Sequence, residues 1–218
     1  MANYSSRAIW RLLNVAWGFL IVSCAIPPTT SDNWIDLFNG NDLTGWKGDP
    51  SVWKSENGYI SGKATRVAQN TYLVHETSFS DFVLEVKVLI INAGSAPDSG
   101  IQYRSSVTDA ATWRVAGYQA DIGIDRWGEL VDEEGRGVLQ GPIPQVQQVA
   151  KYGEWNQYRI TAVGTKLEHE LNGIKAVSYN DKDQKNHHLD GIIAFQYREP
   201  GENYEIRFKD IRIRTLKH

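Results

Sequence analysis

A single cysteine, Cys24, stands in a chain of 218 residues, so no intrachain disulfide framework can form and the fold has to rest on packing. There is no basic excess either. A formal charge of -3, a pI near 6.0 and the lack of any Arg/Lys run leave no electrostatic footprint for a phosphate backbone, which excludes nucleic acid as an expected partner. Long apolar repeats at helical spacing are missing; "PQVQQVAKYGEW" alone leaves room for a turn of helix, around Val146 to Ala150. The apolar run from Leu12 to Ser23 is too short for a comfortable membrane span.

What is present is enough for one sizeable core: 41% of the residues are hydrophobic, and no internal repeat or second linker divides the chain. Eight tryptophans and ten tyrosines among 19 glycines lean towards β structure. Their abundance has two readings, an ordinary aromatic β core or ring faces that stack on sugars.

The first residues differ from the rest. Arg7 and Arg11 precede the apolar run with no acid before it, which suits a secretory signal. The run closes in "IVSC", with aliphatic Ile21 and Val22 and small Ser23 before Cys24, and resembles the bacterial lipobox, which implies lipidation of Cys24 as the first mature residue. Removal of residues 1–23 leaves 195 of the 218 residues, and the loss of Arg7 and Arg11 takes the formal charge from -3 to -5. Residues 24–33, "CAIPPTTSDN", then serve as a tether and residues 34–218 as the domain. The expected location is the bacterial cell envelope, periplasm or outer membrane, with contact to a membrane only through lipid.

From Trp34 onward short segments with apolar alternation or β-branched and aromatic enrichment follow one another, among them "TYLVHE", "FVLEVKVLI", "SGIQYRS", "GYQADI", "WNQYRITAV" and "GIIAFQY". Gly164-Thr165 suits a two-residue type II′ hairpin and Asn172-Gly173 a type I′ hairpin, so three strands form a meander. Without intervening helices the sheets are antiparallel, and their number predicts an all-β, two-sheet sandwich of jelly-roll type.

Strand alternation sets Gln102 and Arg104 on one side of "SGIQYRS", Gln119 and Asp121 on one side of "GYQADI", and Gln196 and Arg198 on one side of "AFQYRE". Merely solvated sheet faces carry residues such as Glu85 and Lys87 in "FVLEVKV". Planar amides, guanidiniums and carboxylates instead hydrogen-bond hydroxyls in pairs. Three strands repeating the device predict a concave binding face.

"WIDLFNGNDLTGW", "SGIQYR", "GYQADIG" with "WGELVDEEGRG", "WNQYRITAVGTKLEHELNG" and "DGIIAFQYREPGENYEIRFKDIRIRTL" together resemble the 3-keto-disaccharide hydrolase domain family, from about Trp34 to Leu216. The resemblance implies a concanavalin-A-like lectin/glucanase sandwich, secretion or lipoprotein anchoring, and cleavage of glycosides oxidised at C3, with a sugar oxidoreductase acting upstream. A ketone at C3 acidifies the C2 hydrogen, so a base can remove it, an enolate can be stabilised, and the C1 substituent can leave before water adds. His169 is the first candidate for proton transfer, with Asp121, Glu129 and Glu134 as alternatives. Arg104, with Gln102, fits the developing oxyanion; Gln119, Gln196, Glu129 and Arg198 fit sugar hydroxyls; Trp127 fits stacking on a ring.

Each candidate has a plainer reading. His169 shares a strand face with Leu167 and Leu171 and could be a satisfied core histidine. Glu133 and Glu134 could belong to a charged loop, adjacent His187 and His188 point apart on an extended chain, and Asn39, Asn41 and Asp42 lack the spacing of a calcium loop. No metal or cofactor is expected. Arg198 stands where relatives commonly carry histidine. A non-catalytic carbohydrate-binding domain is the competing function; a retaining glucanase ranks last, since its Glu-x-Asp-x-x-Glu pattern is missing and no Glu-x-Asp occurs at all.

Overall fold

The computed structural model describes Met1 and residues 33–65, 67, 69–91, 97–198 and 204–217; the expected signal segment, Cys24 and most of the tether lie outside the described residues. In chain order the elements are β1 Ile35–Asp36, β2 Trp46–Lys47, β3 Trp53–Glu56, β4 Tyr59–Lys63, β5 Thr71–Phe79, β6 Phe82–Ile91, β7 Asp98–Asp109 and β8 Arg114–Gly123. Then come β9 Leu130–Glu133, β10 Gly137–Gln140, α1 Pro144–Val149, β11 Asn156–Val163, β12 Lys166–Leu171, β13 Ile174–Asn180, β14 Gly191–Tyr197 and β15 Glu205–Thr215.

The strands form two antiparallel sheets. One runs β13-β12-β11-β6-β15-β4-β3, with β1 on β15; the other runs β10-β9-β8-β7-β14-β5-β2. The all-β sandwich expected from the sequence is therefore what forms. Both expected hairpin turns are present. Val163 pairs with Lys166 around Gly164-Thr165, and Leu171 pairs with Ile174 around Asn172-Gly173. Asn172 and Gly173 have φ of 50° and 81°, the two left-handed residues that a type I′ turn requires. Strands β2, β3, β9 and β10, two to four residues long, are too short to show alternation and had no signal in the sequence.

Alternation explains the core. On β7, β8 and β14 the residues Ile101, Tyr103, Tyr118, Ala120, Ile122 and Phe195 turn inward and are buried. They meet Leu84, Val86, Tyr158, Ile160 and Phe208 from the other sheet. Phe195 stacks on Phe208 with ring centroids 3.9 Å apart, and Trp46 also stacks on Phe195 at 4.9 Å. Removing a ring of this kind costs about 3–5 kcal/mol.

The second sheet is strongly curled. Tyr72 on β5 and Glu133 on β9 are separated by β14, β7 and β8, a span of about 19 Å in a flat sheet at ~4.8 Å per strand, yet the Tyr72 hydroxyl reaches Glu133 Oε1 at 3.3 Å. The hairpin of β7 and β8 also bends. Register slips between Tyr103 and Ser106 and again between Val107 and Asp109, and the outer part folds over the sheet until Val115 and Trp113 pack on Tyr72, Val74 and Ala194. These bulges shape a hollow on the outer face of this sheet.

Candidate functional site

Five of the residues expected on the polar face converge at the floor of that hollow. Gln102 and Gln119 face each other across β7 and β8, with Gln102 Nε2 donating to Gln119 Oε1 at 2.6 Å. Gln119 Nε2 donates at 3.4 Å to Asp121 Oδ1, and Ser105 Oγ donates to Gln102 Oε1 at 2.9 Å. On β14 Gln196 donates to the Tyr72 hydroxyl at 3.0 Å. Arg198, just past β14, donates to Asp98 Oδ2 at 2.7 Å. Gly100 lies between these side chains because a Cβ there would come within 2.3 Å of Gln119 Cδ.

Two members of the floor were missed by sequence reasoning. Asp98 opens β7 on the same face as Gly100 and Gln102; its position two residues before Gly100 was the available signal. Arg126 sits in the turn between β8 and β9, where no periodicity could place it, and pairs with both Asp98 and Asp121, the latter at 3.3 Å. Glu133 joins them as more than loop decoration, half-buried and touching Tyr72 and Asn70.

The electrostatics follow from this crowding. Burial pushes the Asp121 carboxyl up to about 7, with Arg126 opposing the rise and Asp98 adding to it. Burial likewise raises Glu129 and Glu133, against the pull of Arg126 and Arg198 respectively. Glu129 is partly buried beside Arg126, and its carbonyl accepts from the Asp121 amide at 2.9 Å. Among the described residues two buried acceptors on the floor, Gln196 Oε1 and Asp98 Oδ1, have no hydrogen-bond partner. Such atoms cost about 1–3 kcal/mol until a donor arrives, and ligand hydroxyls are donors of the right kind.

Four expected residues lie elsewhere. Arg104 does not share the floor with Gln102, because its own φ of 46° and the bulge after Tyr103 break the alternation that placed it there. Its buried guanidinium donates instead to Ser80 O and Asp81 Oδ1, each at 2.7 Å, and to the Gly164 and His188 carbonyls. Thus it ties three loops together.

His169 is fully buried between the sheets. Gly128 O lies 2.9 Å from Nδ1 and the Tyr103 hydroxyl 2.8 Å from Nε2. A carbonyl only accepts, so Nδ1 carries the proton and Nε2 takes the one from Tyr103. Burial holds the imidazole down to about 4, a neutral core histidine. Together with Tyr158, whose hydroxyl donates to Asp121 O at 2.6 Å and accepts from Gly128 N at 2.9 Å, it props the turn that carries Arg126 and Glu129.

Trp127 is also buried, stacked on Tyr158 and donating to the Tyr152 hydroxyl at 2.9 Å, so no sugar reaches its face. Glu134 is outside the floor at the turn after β9, where Arg114 and Thr108 bond it and fasten the folded hairpin to its neighbour. Among the described residues no group of three His, Cys, Asp or Glu side chains is placed to hold a metal ion, and no helix is long and apolar enough to cross a membrane. His188 pairs with Asp132 at 3.2 Å, and Asn39 to Thr44 close a hydrogen-bonded turn.

A concave, amide-lined face on a two-sheet antiparallel sandwich defines the class: a lectin-like β-sandwich. The chain belongs to the family of 3-keto-alpha-glucoside-1,2-lyase-like domains, whose sequence profile matches residues 33–214. Solved structures share the fold. A Parabacteroides distasonis protein provisionally named a glycosyl hydrolase is 23% identical, with 85% of this chain and 95% of that one covered and a TM-score of 0.63. A carbohydrate-binding module of Bacillus subtilis is 14% identical over 80% of this chain and 98% of its own, with a TM-score of 0.60. A legume lectin-like domain of Entamoeba histolytica is 12% identical over 84% and 99%, with a TM-score of 0.57. No curated protein matches the chain.

Proposed function

We propose that the concave face of the second sheet cleaves 3-keto-glycosides. The observation that carries this reading is the convergence of Gln102, Gln119, Gln196 and Asp121 with Asp98, Arg126 and Arg198 on one floor, in a chain of the lyase-like family. Asp121, with its carboxyl near neutrality, takes the proton from C2 of the oxidised ring. The electron pair moves onto the C3 oxygen as an enolate, whose charge Arg126 and Arg198 offset. The pair then returns to form the C1–C2 double bond as the C1–O bond breaks, and the leaving oxygen takes up a proton. Water adds to C1 and a proton to C2, which completes net hydrolysis. A sugar oxidoreductase supplies the ketone beforehand, and lipid on Cys24 holds the protein in the cell envelope.

A carbohydrate-binding role is the second reading, and one observation favours it: both guanidiniums on the floor are already engaged by Asp98 and Asp121. Incubating the purified protein with a 3-keto-disaccharide and with its unoxidised parent, and following both halves by mass spectrometry, separates the two. Release from the keto sugar alone is expected. Binding of both without cleavage of either would make the protein a binding module, and cleavage of the parent would refute the ketone-dependent mechanism.

A further inference from the structure

Beside the polar floor lies a cavity of about 530 Å³, bounded by residues 49–52, by Ala64, Val67, Gln69 and Thr71, and by the tip of the β7–β8 hairpin at Ala111, Thr112 and Trp113. Its volume falls within the range of about 300–1,000 Å³ typical of ligand pockets. Val52 and Val67 give it a buried apolar base, and Gln69 and Thr71 supply amide and hydroxyl groups at its edge. An apolar base with hydrogen-bonding groups at the margin matches a pyranose, whose axial C–H groups form an apolar face inside a ring of hydroxyls.

Trp113 distinguishes this cavity from a surface dent. The other described tryptophans all have a partner on the ring: Trp34 carries Arg212, Trp46 stacks on Phe195, Trp53 meets Tyr197, Trp127 stacks on Tyr158, and Trp155 carries Lys209. Among the described residues Trp113 forms no stacked or edge-on ring pair and has no cation over it, although it packs against the Tyr72, Val74, Val115 and Ala194 cluster. Its backbone stands at φ of 56°, a conformation costly for a bulky residue and one that persists where surrounding structure enforces it. The enforcement is visible. Asp109 accepts from the Ala111 amide at 2.9 Å and the Thr112 hydroxyl at 2.7 Å, while Arg114 and Thr108 tie the hairpin to Glu134.

We infer that this cavity is a second saccharide subsite, in which Trp113 stacks on a ring linked to the one held at the polar floor. Tyr72 connects the two places, since it belongs to the cluster against which Trp113 packs and accepts from Gln196 on the floor. The inference rests on the floor being a sugar site but needs no cleavage. Specificity for the leaving-group half of a disaccharide is thereby assigned to the hairpin tip.

Calorimetric titration of the purified protein with two uncleaved probes, methyl α-glucoside and trehalose, tests it. The wild type should hold trehalose at least about 10-fold tighter, a difference of ~1.4 kcal/mol. Trp113→Ala should erase that preference while leaving methyl α-glucoside affinity unchanged; Trp113→Phe should restore most of it. Gln69→Ala, at an exposed position that cannot unfold the domain, should weaken trehalose alone by about 3- to 10-fold, the loss of one hydrogen bond. A wild type that holds trehalose no tighter than methyl α-glucoside overturns the subsite, as does a Trp113→Ala protein that binds both sugars like wild type or weakens both equally. Failure to cleave keto sugars with the Trp113-dependent preference intact would defeat the lyase reading and leave the subsite standing.

Discussion

Replacing Asp121 by Asn should make the protein more stable and less active, with a pH dependence whose sign is fixed by the site. The carboxyl is 1% exposed and is pushed from 3.8 up to about 7, chiefly by burial. Between these values the native state keeps a proton that the unfolded chain has released, so stability falls as pH rises from about 4 to about 7. Below pH ~4 both states are protonated and the penalty vanishes; above pH ~7 it is complete. The rise to about 7 sets a ceiling of about 4 kcal/mol on this penalty. Asn resembles the protonated acid at every pH and escapes this penalty. Urea denaturation of both proteins in half-unit steps from pH 4 to pH 8, at constant ionic strength, therefore should show a gap that opens with pH in favour of the variant. Glu129, Glu133 and His169 titrate in both proteins, and their contributions largely cancel in the difference. A gap that stays flat across this range would mean that Asp121 is not held protonated, and the proton-transfer assignment would go with it. The same variant should lose turnover on a 3-keto-disaccharide by ~10²- to 10⁴-fold.

Arg104→Met should lower the melting temperature sharply, because the buried guanidinium's bonds to Ser80, Asp81 and Gly164 are lost, at about 3–5 kcal/mol for a broken buried charge pair; turnover per folded molecule should hold, and its collapse would return Arg104 to the chemistry. In the wild type the neutral His169 contributes stability above pH ~6.5 that is lost as pH falls towards 4. His169→Gln should cost about 1–3 kcal/mol at pH 7 yet lose less on acidification, and thermal melts at pH 7 and pH 4.5 showing equal losses for both proteins would refute the neutral-histidine assignment. Cys24→Ser should move the protein from the membrane fraction to the soluble one; retention in the membrane fraction would rule out a lipid anchor at that residue.

The elements legible in the sequence are those whose side-chain pattern extends over at least six residues. β11 and β12 alternate cleanly, and their Gly164-Thr165 and Asn172-Gly173 turns demand left-handed backbone that few residues adopt. β2, β3, β9 and β10 depend on neighbouring strands for their hydrogen bonds and carry no such pattern. The helix at Pro144–Val149 was foreshadowed by its neighbourhood, a proline at the first turn followed by non-β-branched polar residues around Val146.

For the site, alternation along single strands determined that Gln102, Gln119, Asp121 and Gln196 share a face, because the period of two is a local property of extended backbone. Arg104 broke that rule through a bulge, an irregularity set by how β7 pairs with β8 and β14 and not by its own residues. His169 and Trp127 looked functional as residue types, and only the packing of the second sheet against β11 and β12 enclosed them. Asp98, Arg126 and Glu133 come together across strands and a turn that are far apart in the chain. Nothing local encodes the curl of the sheet that brings Tyr72 to Glu133. The sequence by itself thus determined the longer strands and, away from bulges, which way their side chains point, whereas the tertiary structure decided the short strands and which faces are covered, since burial depends on what packs from elsewhere in the chain.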